Sequence, residues 1–139
     1  GTGLNAMLSM KWAADHEKLV SYHGVEACPP DPEQLQLLNY SEILDMDDHL
    51  LSQFYSTQLE QNLSPYFQFQ WFHQKYEDVK FVANYYNLIY FDAFSPEVQP
   101  EMWSKEGFEK LYKLLKKGGI LTTYSCKGTV KRALKAAGF

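Results

Sequence analysis

The chain has 139 residues and a net charge of −4, with 45% apolar, 22% charged and 16% aromatic side chains. That balance excludes a disordered chain, and the length predicts a single domain with its own core. No apolar run is long enough to span a bilayer and no signal peptide opens the sequence, so a cytoplasmic protein is expected. Cys28 and Cys126 have no metal-type spacing and read as reduced thiols. His16, His23, His49 and His73 are scattered without ligand spacing, so no metal is expected.

Gly1-Thr2-Gly3 is loop chemistry, and a helix is expected directly after it, over residues 4–15. Such a loop normally follows a strand, so the first strand of the fold is expected to be missing. Residues 20–26 are β-branched and aromatic enough for a strand. The run Cys28-Pro29-Pro30-Asp31-Pro32 breaks it. Asp31 as N-cap and Pro32 at the first helical position predict a helix to about Leu38. Leu50, Leu51, Phe54, Tyr55 and Leu59 lie near helical spacing and predict a helix over residues 47–61, ended by Asn62-Leu63-Ser64-Pro65. Residues 66–72 alternate ring and polar side chains, as a strand does.

Leu88-Ile89-Tyr90-Phe91 is a continuous apolar run, expected as a central strand buried on both faces. An amphipathic helix is predicted over residues 101–116, stopped by Gly118-Gly119. A strand over residues 120–124 and a helix over residues 129–137, capped by Gly138, complete the reading. Strands alternating with helices predict an α/β fold with a mostly parallel sheet flanked by helices. Ligands in such sheets bind at the carboxyl ends of strands. That rule selects residues 1–5, Glu26, residues 92–96 and residues 124–126.

Each of these places has chemistry to offer. Glycines at positions 1 and 3 let the backbone lie close to a cofactor, and an acid about 20 residues on accepts the hydroxyls of a ribose. Glu26 stands at that distance; the alternative is a structural turn and a solvated carboxylate. Asp92 directly follows an apolar strand, with Ala93, Phe94, Ser95 and Pro96 after it. A carboxylate there can orient an amine and receive its proton, and Phe94 and Pro96 can form an apolar wall. The alternative is an Asp that caps the following turn. Tyr124 can stack on a flat substrate, whereas Cys126 reads as a quiet thiol.

Charge is segregated along the chain. Residues 1–100 carry four basic against fourteen acidic side chains, and from Lys105 onward nine basic side chains face only Glu106 and Glu109. The basic third reads either as a surface for a polyanion or as solvated lysine faces of amphipathic helices.

Gly1-Thr2-Gly3-Leu4-Asn5, Val25-Glu26-Ala27-Cys28-Pro29, Phe91-Asp92-Ala93-Phe94-Ser95-Pro96 and Glu101-Met102-Trp103 together resemble one family. Gly118-Gly119, Thr123-Tyr124-Ser125-Cys126, Val130-Lys131-Arg132-Ala133-Leu134 and Ala137-Gly138-Phe139 fit it too. It is the MnmC-type tRNA 5-methylaminomethyl-2-thiouridine methyltransferase domain. The resemblance covers nearly the whole chain and is most specific over residues 92–139.

It implies a class I, Rossmann-like methyltransferase fold, with residues 1–139 as one domain cut short at both ends and lacking the first strand and the last two. It implies S-adenosyl-L-methionine as cofactor and N-methylation of the 5-aminomethyl group on the wobble uridine of tRNA. Carried over by position, Gly1, Gly3 and Asn5 line the methionine side of the cofactor and Glu26 holds the ribose. Asp92 sits beside the methyl group and the amine, and Phe94 and Tyr124 form part of the substrate wall. The larger family members fuse this domain to a flavin-dependent oxidase, a partner absent from this chain. Where the family has a Gly-Asp pair near the adenine, this sequence has His73-Gln74, with Glu77 and Asp78 following. An aminopropyltransferase, a NAD-dependent oxidoreductase and a non-catalytic scaffold share parts of this pattern. The first would want more acid around Asp92, and the second gives Asp92-Ala93-Phe94 no role.

Overall fold

The computed structural model describes residues 1–56 and 61–139. The chain forms two compact units, Gly1–Val79 and Lys80–Phe139. In the first, α1 (Leu4–Asp15) leads to β1 (Val20–Val25), three short helices α2 (Pro32–Gln36), α3 (Tyr40–Leu44) and α4 (Asp48–Ser56), and the strands β2 (Gln61–Ser64) and β3 (Phe67–Phe72). In the second, β4 (Tyr86–Phe91) is followed by a 3₁₀ turn at Pro100–Trp103, α5 (Lys105–Leu114), β5 (Leu115–Thr123) and α6 (Gly128–Ala137).

The first unit holds a three-stranded sheet in the order β1-β3-β2. β1 and β3 run parallel, from Val20 opposite Phe67 to Val25 opposite Phe72. β2 pairs antiparallel with β3 and carries a bulge between Asn62 and Ser64. The ring-polar alternation of β3 decides its faces: Phe67, Phe69 and Trp71 are buried and the residues between them are half-buried. Ala6, Met7, Met10 and Ala13 of α1 join them with Phe54 in the core. Phe54 stacks on Phe69 at 4.4 Å between ring centres, an arrangement that adds to the area each ring removes from water.

In the second unit β4 and β5 are parallel and α5 connects them, a β-α-β crossover. Phe91, Trp103, Phe108, Leu111, Leu115 and Val130 form the core. Phe91 meets Trp103 at 4.9 Å and Phe108 at 5.3 Å, both edge to face. Parallel strands flanked by helices make the fold a Rossmann-like α/β arrangement, as expected from the sequence. Among the described residues no helix is long and apolar enough to cross a membrane.

Several local expectations need correction. Asn62-Leu63-Ser64, expected to end a helix, is a strand: α4 is described as far as Ser56, Gln61 opens β2, and the helix expected over residues 57–60 lies outside the described residues. Asn and Ser favour turns locally, but pairing with β3 and burial of Leu63 override that preference. The helix expected to Leu38 ends at Gln36, and α3 follows it. The apolar run Leu88–Phe91 is not buried on both faces, since Phe91 is buried whereas Leu88 and Tyr90 are each 41% exposed.

The helix expected over residues 101–116 is divided. A 3₁₀ turn precedes Ser104, whose hydroxyl accepts from the Gly107 N–H at 3.0 Å and caps α5 at its start. Leu115 already has extended backbone, so Gly118-Gly119 lies inside β5 rather than at a helix end. Tyr86 faces Leu115 and Leu88 faces Ile120, so β5 bulges outward over that stretch, with Gly118 at φ +79°.

Phe108 is fully buried. Replacing it with alanine is expected to lower unfolding free energy by about 3–5 kcal/mol. Urea denaturation checks this, and a loss below about 1 kcal/mol would contradict the packing described.

Candidate functional site

The glycine loop is held from three sides. Gly3 caps α1 from the left-handed region at φ +86°, and its carbonyl accepts from the N–H groups of Ala6 and Met7, both at 3.0 Å. A Cβ on Gly3 would stand 2.6 Å from Cε1 of Phe54, a ring that is itself fully buried. Backbone angle and packing therefore both demand glycine. The Tyr55 hydroxyl donates to the Thr2 carbonyl at 3.1 Å, and the Thr2 hydroxyl bonds the Tyr40 hydroxyl at 2.7 Å. Burial, with Tyr40 adding to it, pushes the Tyr55 hydroxyl up to about 12, so it stays a donor throughout the neutral range.

Glu26 ends β1, its N–H donating to the Phe72 carbonyl at 3.0 Å. One carboxylate oxygen lies against the backbone nitrogen of Gly1, and the other accepts from the Cys28 N–H at 2.9 Å. The structure thus brings together Gly1, Gly3 and Glu26, three residues named from sequence, at the carboxyl end of β1. Asn5 lies half-buried in the first turn of α1. A glycine loop beside a half-buried carboxylate is the local chemistry that suits a cofactor with a ribose diol.

The second unit carries Asp92, Phe94 and Tyr124. Asp92 follows the last residue of β4 and is exposed, as is Phe94 at 68%. Phe94 is nevertheless fixed through its backbone. Its N–H donates to Oε1 of Gln99 at 3.1 Å, and its carbonyl accepts from Nε1 of the buried Trp103 at 2.7 Å. The Tyr124 hydroxyl, from the end of β5, donates to the Ala93 carbonyl at 2.9 Å, and its ring meets Trp103 edge to face at 5.6 Å. Tyr124 therefore keeps an exposed ring, while its hydroxyl serves the loop.

Lys127 and Glu97 form a further ion pair across the same loop. That contact, with a backbone hydrogen bond and Ser95, holds the Glu97 carboxyl down at about 2 although it is exposed.

Sequence reasoning found the residues at the strand ends and missed those that hold them. No local signal marks the hydrogen-bonding roles of Tyr40 and Tyr55, whose partner Thr2 lies far off in the chain, or that of Gln99. Trp103 was legible as an apolar helix position and as part of a family motif, but not as the partner of the Phe94 carbonyl. Three histidines pack against aromatic neighbours: His16 on Trp12, His23 on Phe72 and His73 on Trp71. Among the described residues no group of three or more His, Cys, Asp and Glu is placed to hold a metal ion.

A family model described as S-adenosyl-L-methionine-dependent methyltransferase matches residues 49–139. The chain belongs to this family, and the cofactor that membership implies is S-adenosyl-L-methionine. Similar proteins bear the name tRNA 5-methylaminomethyl-2-thiouridine biosynthesis bifunctional protein MnmC. The one from Leptospira interrogans serovar copenhageni is 29% identical over 100% of this chain and 23% of its own length. Those from Cupriavidus metallidurans and Aeromonas salmonicida are 48% and 44% identical over 38% and 36% of this chain, each over 8% of its own length. The chain thus spans less than a quarter of the length of these relatives.

Two outcomes are expected at these sites. Gly3→Ala is expected to cost on the order of 2 kcal/mol or more, from positive-φ strain and the clash with Phe54; thermal unfolding measures it. The Glu97 carboxyl has a depressed folded value, so its pairing is complete above the ordinary 4.5 and is lost as pH falls through about 2. Carbon-detected NMR titration is expected to find that midpoint, and Lys127→Met to move it back toward 4.5.

Proposed function

We propose that residues 1–139 belong to one methyltransferase domain that transfers a methyl group to the primary amine of an aminomethyl substituent on a tRNA wobble uridine. The observation that carries the reading is the clamp that holds Phe94 beside Asp92 at the carboxyl end of β4, in a chain of a methyltransferase family. The tRNA substrate is supported by the names of the relatives.

The cofactor supplies an electrophilic methyl group on a sulfonium. Gly1, Gly3 and Asn5 would hold its amino-acid end, and Glu26 would bind the ribose hydroxyls with a carboxylate already ordered by the Cys28 N–H. Asp92 would accept a hydrogen bond from the incoming amine and so orient it for transfer. In the transfer the methyl–sulfur bond would break as the N–C bond forms, leaving a neutral thioether, and the amine's proton would pass to Asp92, whose exposure lets it go on to water. Phe94 and Tyr124 offer ring faces on which a flat pyrimidine stacks. The rings stay in place because the backbone of Phe94 and the hydroxyl of Tyr124 are both tied to the loop. A tRNA substrate is in keeping with a cytoplasmic protein.

Calorimetric titration of S-adenosyl-L-methionine into the full chain, with methyl transfer to undermodified tRNA, tests this. Asp92→Ala is expected to bind cofactor within about threefold of the parent and to lose about 100-fold or more in transfer. Transfer retained in Asp92→Ala would remove that residue's role. Absence of cofactor binding by the parent would overturn the whole reading.

A further inference from the structure

The charge segregation seen along the sequence follows the division into units. Residues 1–79 hold three basic and twelve acidic side chains, a net −9, and residues 80–139 hold ten basic and five acidic, a net +5. Within the second unit, a cleft of about 660 Å³ lies at the amino end of β5 and is bounded by Tyr112, Lys113, Lys116, Lys117, Gly118 and Phe139. The three lysines are exposed. The ion pairs formed among the described residues of this unit use Lys105 and Lys127 instead. Lys116 donates to Asn87 at 3.4 Å and lies 5.7 Å from the centre of the Tyr85 ring, so a ring already sits beside its charge.

Two further features give the cleft more than charge. Tyr112 is 48% exposed and meets Phe139 edge to face at 5.2 Å, so a ring face stands among the lysines. Gly118, with φ +79°, has no atom within 4 Å of where a Cβ would stand, so a bulky chain can approach the bulge of β5 closely. The helix ends at the cleft oppose an anion through their carbonyls. Those carbonyls are partly spoken for: Lys113 and Leu114 accept from Asn84 and Tyr85, and Leu134 and Lys135 from Phe139 and Gly138. Lysines for phosphates and rings for bases are what single-stranded nucleic acid requires of a groove.

We propose that this cleft binds the phosphate backbone of a single-stranded stretch of the RNA substrate, away from the point of methyl transfer. Strand residues rise about 3.3 Å each, which sets the cleft on the order of 15 Å from the Asp92 end of the sheet. The cleft therefore anchors nucleotides that flank the target base. The inference rests on the RNA reading above and deepens it by naming where the polymer is held.

The test compares the parent full chain with Lys113→Gln/Lys116→Gln/Lys117→Gln, and with Lys11→Gln/Lys18→Gln/Lys75→Gln from the acidic unit as a charge-matched control. Fluorescence anisotropy measures affinity for an undermodified anticodon stem-loop RNA across a salt series. Calorimetry follows S-adenosyl-L-methionine binding, and circular dichroism follows folding. The cleft variant is expected to lose at least about tenfold in RNA affinity, and its slope of log affinity against log salt to flatten by about 2. Cofactor affinity is expected to remain at the parent value, and the control to match the parent. If the parent binds RNA and the cleft variant keeps its affinity and slope, the inference falls and the RNA reading stands. An equal loss in the control, or competition by polyglutamate as strong as by RNA, also overturns it. If the parent binds cofactor but no RNA, both fall together.

Discussion

Parallel pairing is the constraint on which the rest depends. Two strands that run the same way cannot be joined by a tight turn, so a crossover must carry the chain back to the starting end. The chain places α2, α3, α4 and β2 between β1 and β3, and α5 between β4 and β5. The carboxyl ends of paired strands then lie together, each followed by a loop free of ladder hydrogen bonds. Glu26 occupies such a position after β1, Asp92 after β4 and Tyr124 after β5. Within each unit, strand direction decides which end of the sheet the candidate residues occupy.

Direction alone would leave those loops loose. The structure fixes them with side chains that no ligand needs to touch. In the first unit a buried ring lies against Gly3 while two tyrosine hydroxyls bind Thr2. In the second, Gln99 and Trp103 take both backbone groups of Phe94, and Tyr124 takes the carbonyl before it. An exposed aromatic ring is a poor binding element when its backbone wanders, because ordering it on binding costs entropy. Holding the backbone in advance removes much of that cost and leaves the ring face for a partner. The aromatic richness of the chain thus serves two ends, a core of stacked rings and a set of ring faces and hydroxyls around the strand ends.

The sequence by itself determined a good deal. Ring-polar alternation fixed the faces of β3, because a period of two allows only one set of side chains into a core. The α1 and α6 boundaries were legible to within a residue, since glycines mark Gly3 and Gly138 and both adopt positive φ. The strand-end positions Glu26, Asp92 and Tyr124 followed from the alternation of strands and helices. Family membership was legible from short motifs because glycine loops and post-strand carboxylates keep their local pattern.

Tertiary structure decided what local pattern cannot carry. β2 exists because β3 offers an edge and the core accepts Leu63, against the turn preference of its own residues. The run at Leu88–Phe91 reads as uniformly apolar, yet only packing against Trp103 and Phe108 singles out Phe91 for burial. Gly118-Gly119 reads as a helix stop, but Leu115 turns extended first because β4 already presents Tyr86 to pair with it. Tyr55 and Thr2 are 53 residues apart, and Tyr124 and Ala93 are 31. A hydrogen bond across such distances leaves no mark on the composition around either partner, so it becomes visible only when the folded backbone brings the two within 3 Å or so of each other.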